Sequence, residues 1–379
     1  MRIALVALHF AEYAARLALA LARSHSVLLV LRTDTARNEL SVALRAEIER
    51  QVEVVFIEHR TLRQPSVIVA AANLVSEVRA FKPDVVHFQE YPVDYAAWGA
   101  MRLMALYPSV LTVHDHATHS GVDSRLPFRI RCYRRLLRNK ADRIIVHGNT
   151  IRQAMLNEQR HPPQHIVSIM HGVLGVDDSG GSFTPPPELS TLLFFGRIEA
   201  YKGLSVLLDA LDRLNSRGGQ TVRLIIAGRG SDLEAQRSRI VSNPHIEVDD
   251  RFIPVEDIPM LFARSAIVVL PYLDATQSGV AAMAFAFGRP VIASSTGALP
   301  EVVLDGETGL LVPPADANAL ALAIRRLLTE RGLWQKLAQG ALRSATNALS
   351  WSNIAQQTTT LYEGLNTSGS IGRQEVAAE

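Results

Sequence analysis

The sequence predicts an α/β protein built from two parallel-sheet domains. Short β-branched runs recur through both halves of the chain, and helix-period segments separate most of them. A Gly/Ser/Pro stretch without apolar period, DDSGGSFTPPP (177–187), divides the two series. In the first half the runs are RIALVAL (2–8), SVLLVL (26–31), VEVVFIE (52–58), DVVHFQE (84–90), SVLTVHD (109–115), RIIVHG (143–148) and IVSIMHG (166–172). In the second they are TLLFFGR (191–197), VRLIIAGRG (222–230), HIEVDDRFI (245–253), AIVVLPY (266–272), RPVIAS (289–294) and TGLLVPP (308–314). Helical period lies between them, as at 13–22, 204–215, 258–264 and 317–329. Continuous apolar runs suit strands buried on both faces, as parallel sheets with crossover helices require. Two Rossmann-like domains follow, at 1–175 and 188–350, then a helix at 351–365. The small, polar tail at 366–379 is expected to be disordered.

Composition bounds the function. The 379 residues suffice for two or three domains, and 48% apolar with 20% charged residues excludes a largely disordered chain. A single cysteine, Cys132, excludes a disulfide framework and any multi-cysteine metal site, and it fits a reducing compartment. No stretch reaches the roughly 18 apolar residues of a membrane span. Glu12, Arg16 and Arg23 interrupt the apolar start, so 2–8 reads as a buried strand and the expected setting is the cytoplasm. The net charge of +2 argues against bulk nucleic-acid binding. It hides an asymmetry: residues 1–175 carry 22 basic and 15 acidic groups, a balance of +7, against −5 for the remainder. The segment RLPFRIRCYRRLLRNK (125–140) has seven basic residues and no acidic one, which accounts for that excess.

Ligands of open α/β sheets sit beyond the carboxyl ends of strands. There the second half becomes unusual. FGRIEAYKG (195–203) joins Gly196, which permits a tight turn, to the cations Arg197 and Lys202, which could converge on one diphosphate or simply flank a helix start as solvated charges. IAGRG (226–230) offers close backbone approach at Gly228 and Gly230. In YLDATQSGVAAMAFAFGRPVIAS (272–294), Gln277, Ser278, Gly279 and Val280 open a helix whose first amides form an anion site, or whose Ser278 is only a cap. GALPEVVLDGETGLLVPP (297–314) brings Glu301 to the next loop.

In this order the motifs resemble the donor-binding domain of GT-B glycosyltransferases, specifically glycosyltransferase family 4, whose members are retaining and use nucleotide sugars. The resemblance spans nearly the whole chain, with its specific motifs in 191–314. It implies two Rossmann-like domains facing a cleft, with a C-terminal helix crossing back to the N-terminal domain. It implies that Arg197 and Lys202 hold the donor diphosphate, that the region of Arg251–Pro254 lies near the nucleobase, and that His114 in SVLTVHDHATHSG (109–121) lies near the reacting sugar. The chain departs from the family at Ala275 and Met283, where many members carry paired glutamates. Gln277 and Ser278, with the amides of Gly279 and Val280, are expected to take over those contacts.

No metal is expected: the cations replace one, and a zinc reading of His114, His116 and His119 lacks both a helical pair and a fourth ligand. The first βα loop, ALHFAEYAAR (7–16), lacks the glycines of a dinucleotide fingerprint. The partners expected are a nucleotide-sugar donor, a glycan or lipid-linked acceptor and, peripherally, an anionic membrane. For the last, helical period puts Arg131, Arg134, Arg135 and Arg138 on one face, with Phe128, Cys132, Tyr133, Leu136 and Leu137 on the other. A nucleotide-sugar epimerase and a non-catalytic binding module of the same fold are the alternative readings.

Overall fold

The computed structural model describes residues 1–58, 67–90, 95–114, 116, 128–175, 185–215, 221–275 and 278–369. These fall into two compact units, one gathering the described residues of 1–116, 128–170 and 351–369, the other those of 171–350.

The first unit holds seven strands: β1 (Arg2–Ala7), β2 (Ser26–Arg32), β3 (Glu53–Ile57), β4 (Val85–Gln89), β5 (Ser109–Val113), β6 (Arg143–Val146) and β7 (Ile166–Ser168). All neighbours pair in parallel, in the order β3-β2-β1-β4-β5-β6-β7. The order reverses between β1 and β4, where Ile3 faces Val85. That reversal opens a crevice at the strands' carboxyl ends. Both faces are covered, so β1 is buried from Ile3 to Ala7 without alternation.

The second unit repeats the design with six strands: β8 (Thr191–Phe195), β9 (Arg223–Ala227), β10 (Ile246–Asp249), β11 (Ile267–Leu270), β12 (Val291–Ser294) and β13 (Gly309–Val312). Their order is β10-β9-β8-β11-β12-β13, with the reversal between β8 and β11. Its core packs Leu192, Phe194, Ile226 and Val269 of the sheet with Leu207, Leu211, Leu320 and Ile324 of helices.

Every expected strand is present, but several stop short at the carboxyl end. β8 ends before Gly196, where φ is 105°, and β9 before Gly228, where φ is 131°. Those conformations break a ladder and begin the loops that follow.

The helix Trp351–Gly369 packs in the first unit against the helix Ala11–Ala22. Trp351 meets Tyr13 edge-on at 5.0 Å, and the Tyr362 hydroxyl lies 2.6 Å from His87 Nδ1. The other ring nitrogen of His87 reaches Thr112 Oγ1 at 2.7 Å. Burial pushes His87 down to about 3, so its neutral ring offers one donor and one acceptor to two hydroxyls. The helix continues four residues past the expected end at 365, since no proline stands there to stop it. Residues 370–379 of the expected tail lie outside the described residues.

Candidate active site

The second unit's crevice is built from three loops. After β8 the chain turns at Gly196, and Ile198 and Tyr201 sink into the core. They anchor a single 3₁₀ turn, Ala200–Lys202, closed by Gly203 at φ 72°. A Cβ on Gly203 would stand 2.0 Å from the Pro271 carbonyl oxygen, so only glycine lets this loop pass so close to the one after β11. The Leu273 N–H also donates to the Tyr201 oxygen at 2.7 Å. Lys202 is thereby turned inward and is 8% exposed. Its Nζ lies 3.1 Å from where a Cβ of Gly196 would stand and 5.3 Å from the centre of the Tyr272 ring. Among the described residues it has no hydrogen-bond or ion-pair partner. Burial first, and then the charge of exposed Arg197, pull its pKa down to about 8 against a smaller opposing effect of Glu199.

The neighbouring loops complete the cradle. Gly228 packs its backbone on Gly196, whose oxygen would lie 1.9 Å from a Cβ, and Gly230 packs likewise on Ile198 at 2.1 Å. Ser278 is buried, its hydroxyl 3.5 Å from that of Tyr272, and it precedes the helix Gly279–Ala286. Val280 Cγ2 lies 3.9 Å from the Gly196 Cβ position, so this helix start faces the same turn as Lys202. Gly279 has room for a Cβ, with His171 and Leu174 no nearer than 3.7 Å. Gln277 lies outside the described residues. Glu301 is half-buried in the short helix Leu299–Val302. Ala275 and Met283, the positions without glutamates, are both buried. Arg251, near the expected nucleobase loop, is exposed and bridges Asp249 at 2.8 Å and Asp257 at 2.7 Å.

In the first unit, His114 follows β5 and is 2% exposed. Phe10 stacks on its ring at 3.8 Å, Tyr13 meets it edge-on at 4.9 Å, and Gln89 Oε1 lies 2.8 Å from its Nε2. His147 is also close, with ring centres 4.9 Å apart. The basic helix, Phe128–Lys140, is turned differently from expectation. Glu90, buried at the end of β4, accepts two bonds from Arg138, at 2.6 and 2.8 Å, and Arg134 leans toward it at 4.0 Å. Arg131 and Arg135 stay exposed, together with Phe128, Cys132 and Leu136. The four arginines therefore do not form one outward face, because a buried carboxylate recruits two of them.

Models of two families match the chain: one described as "Glycosyl transferases group 1" over residues 190–330, the other as "Glycosyltransferase Family 4" over residues 11–173. A phosphatidyl-myo-inositol mannosyltransferase of Mycobacterium leprae is 33% identical over 302 residues, spanning 76% of this chain and 75% of that protein. The chain is a family 4 glycosyltransferase. A glycogen synthase of Mycobacterium tuberculosis is 29% identical over 75% of this chain and 69% of that protein. The fold is shared with GT-B transferases such as Anabaena HepE, solved in complex with UDP-glucose, at a TM-score of 0.71 and 18% identity over 96% of this chain and all of that one.

Sequence reasoning singled out Gly196, Lys202, Gly228, Ser278 and Val280 of this transferase, and the fold gathers them around one turn. It missed Tyr272, Gln89 and Glu90, though each stands at the end of a recognised strand run, where a polar or aromatic residue after an apolar stretch is the available signal.

The buried ammonium has a stability consequence. One pKa unit corresponds to about 1.4 kcal/mol, so a Lys202 lowered from 10.5 to about 8 costs the free protein on the order of 3 kcal/mol while charged. Between pH 8 and 10.5 the unfolded chain binds more protons than the folded one, so stability rises with pH across that window. Lys202→Met is expected to be more stable than wild type at pH 7, by up to about 3 kcal/mol, with the gap closing above pH 8. Urea denaturation at a series of pH values measures this. A variant less stable at pH 7 would mean that the lysine is satisfied where it sits.

Proposed function

We propose that the enzyme transfers a glycosyl group from a nucleoside-diphosphate sugar, held by the C-terminal unit, to a hydroxyl of a glycan or lipid-linked acceptor, held by the N-terminal unit. The observation that carries this reading is the buried Lys202 ammonium, without an ion-pair partner among the described residues, over the Gly196 turn and facing a helix start. A desolvated cation with open donors is matched by an anion, and the first amides of a helix add to the same field. Breaking a glycosyl–phosphate bond builds negative charge on the leaving diphosphate. Lys202 and Arg197 stabilise that charge as it develops, which lowers the barrier without a metal. Retention of anomeric configuration comes with the family. The UDP-glucose bound by HepE makes a UDP-sugar the first donor to try, and the mycobacterial mannosyltransferase makes an inositol lipid the first acceptor.

Lys202→Ala and Arg197→Ala are expected to lower transfer by about 10²-fold or more, the scale for loss of one pre-organised stabilising group, with activity in excess EDTA retained. Radiolabelled sugar transfer from UDP-, GDP- and ADP-sugars checks both. Normal turnover by both variants would remove the donor site from this loop.

A peripheral membrane contact belongs to the same reading. Among the described residues no helix is long and apolar enough to cross a membrane. Phe128 and Leu136 are exposed on the same helix as exposed Arg131 and Arg135, and Trp98 is exposed on the adjacent helix Tyr95–Leu106. Apolar anchors beside cations suit an anionic lipid surface. Replacing Arg131 and Arg135 with Gln should weaken binding to phosphatidylglycerol vesicles by about 1 kcal/mol per charge in a flotation assay. Arg134 and Arg138 are left intact there, since they hold Glu90. Equal flotation of both proteins would make this an ordinary solvated face.

A further inference from the structure

The first unit contains a polar group that the donor site does not use. Gln89 is the last residue of β4, beside the β1/β4 reversal, and is 4% exposed. Its Oε1 lies 2.8 Å from His114 Nε2, while its amide nitrogen is buried without a partner among the described residues. A carboxamide oxygen only accepts, so the bond requires a proton on His114 Nε2 and, in the neutral imidazole, leaves Nδ1 as the acceptor. Burying an amide N–H₂ unpaired costs about 1–3 kcal/mol, so such a donor is poised for an incoming oxygen.

The surroundings hold this pair rigidly. Phe10 stacks on His114 from a left-handed conformation, φ 60° and ψ 46°, which a residue with a Cβ adopts only when neighbouring bonds enforce it. Here its carbonyl accepts from Ala14 N–H at 3.1 Å, and the following N–H, that of Ala11, donates to Glu39 at 2.6 Å. On the other side Glu90 follows Gln89 in the chain, with its N–H on the Thr112 oxygen at 2.8 Å and its carboxylate on Arg138. The Glu90 carboxylate is in turn held by Arg138 and faced by Arg134 at 4.0 Å. A carboxamide carries no charge, so a neutral hydroxyl oxygen matches its open donor.

We propose that Gln89 is a positioning residue: it fixes His114 as the Nε2–H tautomer and presents its own amide to a hydroxyl oxygen of an acceptor polyol. The second half rests on the reading that the N-terminal unit receives the acceptor. The tautomer is independent of it.

Long-range ¹H–¹⁵N correlation spectra of the full chain, labelled at histidine and glutamine, test both halves, with myo-inositol as an uncharged polyol probe. In wild type His114 is expected as a single Nε2–H tautomer. Adding the probe should shift the Gln89 side-chain amide. Gln89→Leu should give mixed His114 tautomers and weaken probe binding about tenfold or more, with UDP binding within twofold of wild type. Gln89→Glu retains an acceptor for Nε2–H and should keep the tautomer, a rescue that a merely space-filling role would not produce. An Nδ1–H ring in wild type overturns the first half, and this needs no variant to fold. An unmoved Gln89 amide in the presence of the probe overturns the second half. A wild-type protein that shows the tautomer but transfers no sugar from any nucleotide sugar sinks the functional reading and leaves the positioning role standing.

Discussion

The second unit is organised around one unfavourable placement, an ammonium group taken out of water with no ion-pair partner among the described residues. Ile198 and Tyr201 sink into the core on the same short loop, and Lys202 is buried with them. Gly196 leaves the space its Nζ occupies, and Gly203 lets the loop close against Pro271. Tyr272 lends a ring face, which softens the desolvation without cancelling the charge. A fold that only needed stability would put an apolar side chain there. Keeping the lysine makes sense when a bound anion restores what burial removed.

The sheet topology supplies the location. The strand order of both sheets reverses at their first strand, at β1/β4 and at β8/β11, and in each case chemistry-bearing side chains collect at the carboxyl ends next to the reversal. The two ends differ in character. The second carries cations and close-packed glycine backbone, suited to phosphates. The first carries a histidine, aromatic rings and a carboxamide, groups suited to hydroxyls. A donor with a charged leaving group and an acceptor with a plain hydroxyl are what a glycosyltransferase must tell apart.

Much of this was legible in the sequence. The strands stand out as apolar runs, most fully where both faces of the sheet are covered, as in β1, β5 and β11. The glycines at 196, 228 and 230 were readable because each turn needs backbone that no other residue provides. What was not legible depends on convergence across long separations. Helical period alone put Arg134 and Arg138 on a free face, since nothing local reveals that Glu90, 48 residues before Arg138, lies buried opposite them. Gln89 and His114 are 25 residues apart and meet only because β4 and β5 are neighbours. The burial of Lys202 alongside Ile198 and Tyr201 is likewise something the spacing of the loop did not disclose.

If Lys202 is the receptor for a donor diphosphate, binding must be linked to its protonation. With a pKa of about 8 in the free protein, the lysine is about half charged at pH 8. An anion bound beside it raises that pKa, so binding draws in a proton. Calorimetric titration of the protein with UDP at pH 8, in two buffers of different ionisation enthalpy, measures the uptake directly. The account predicts about half a proton taken up per UDP, falling toward zero at pH 6 and absent in Lys202→Met. UDP binding at pH 8 with no proton uptake would contradict it.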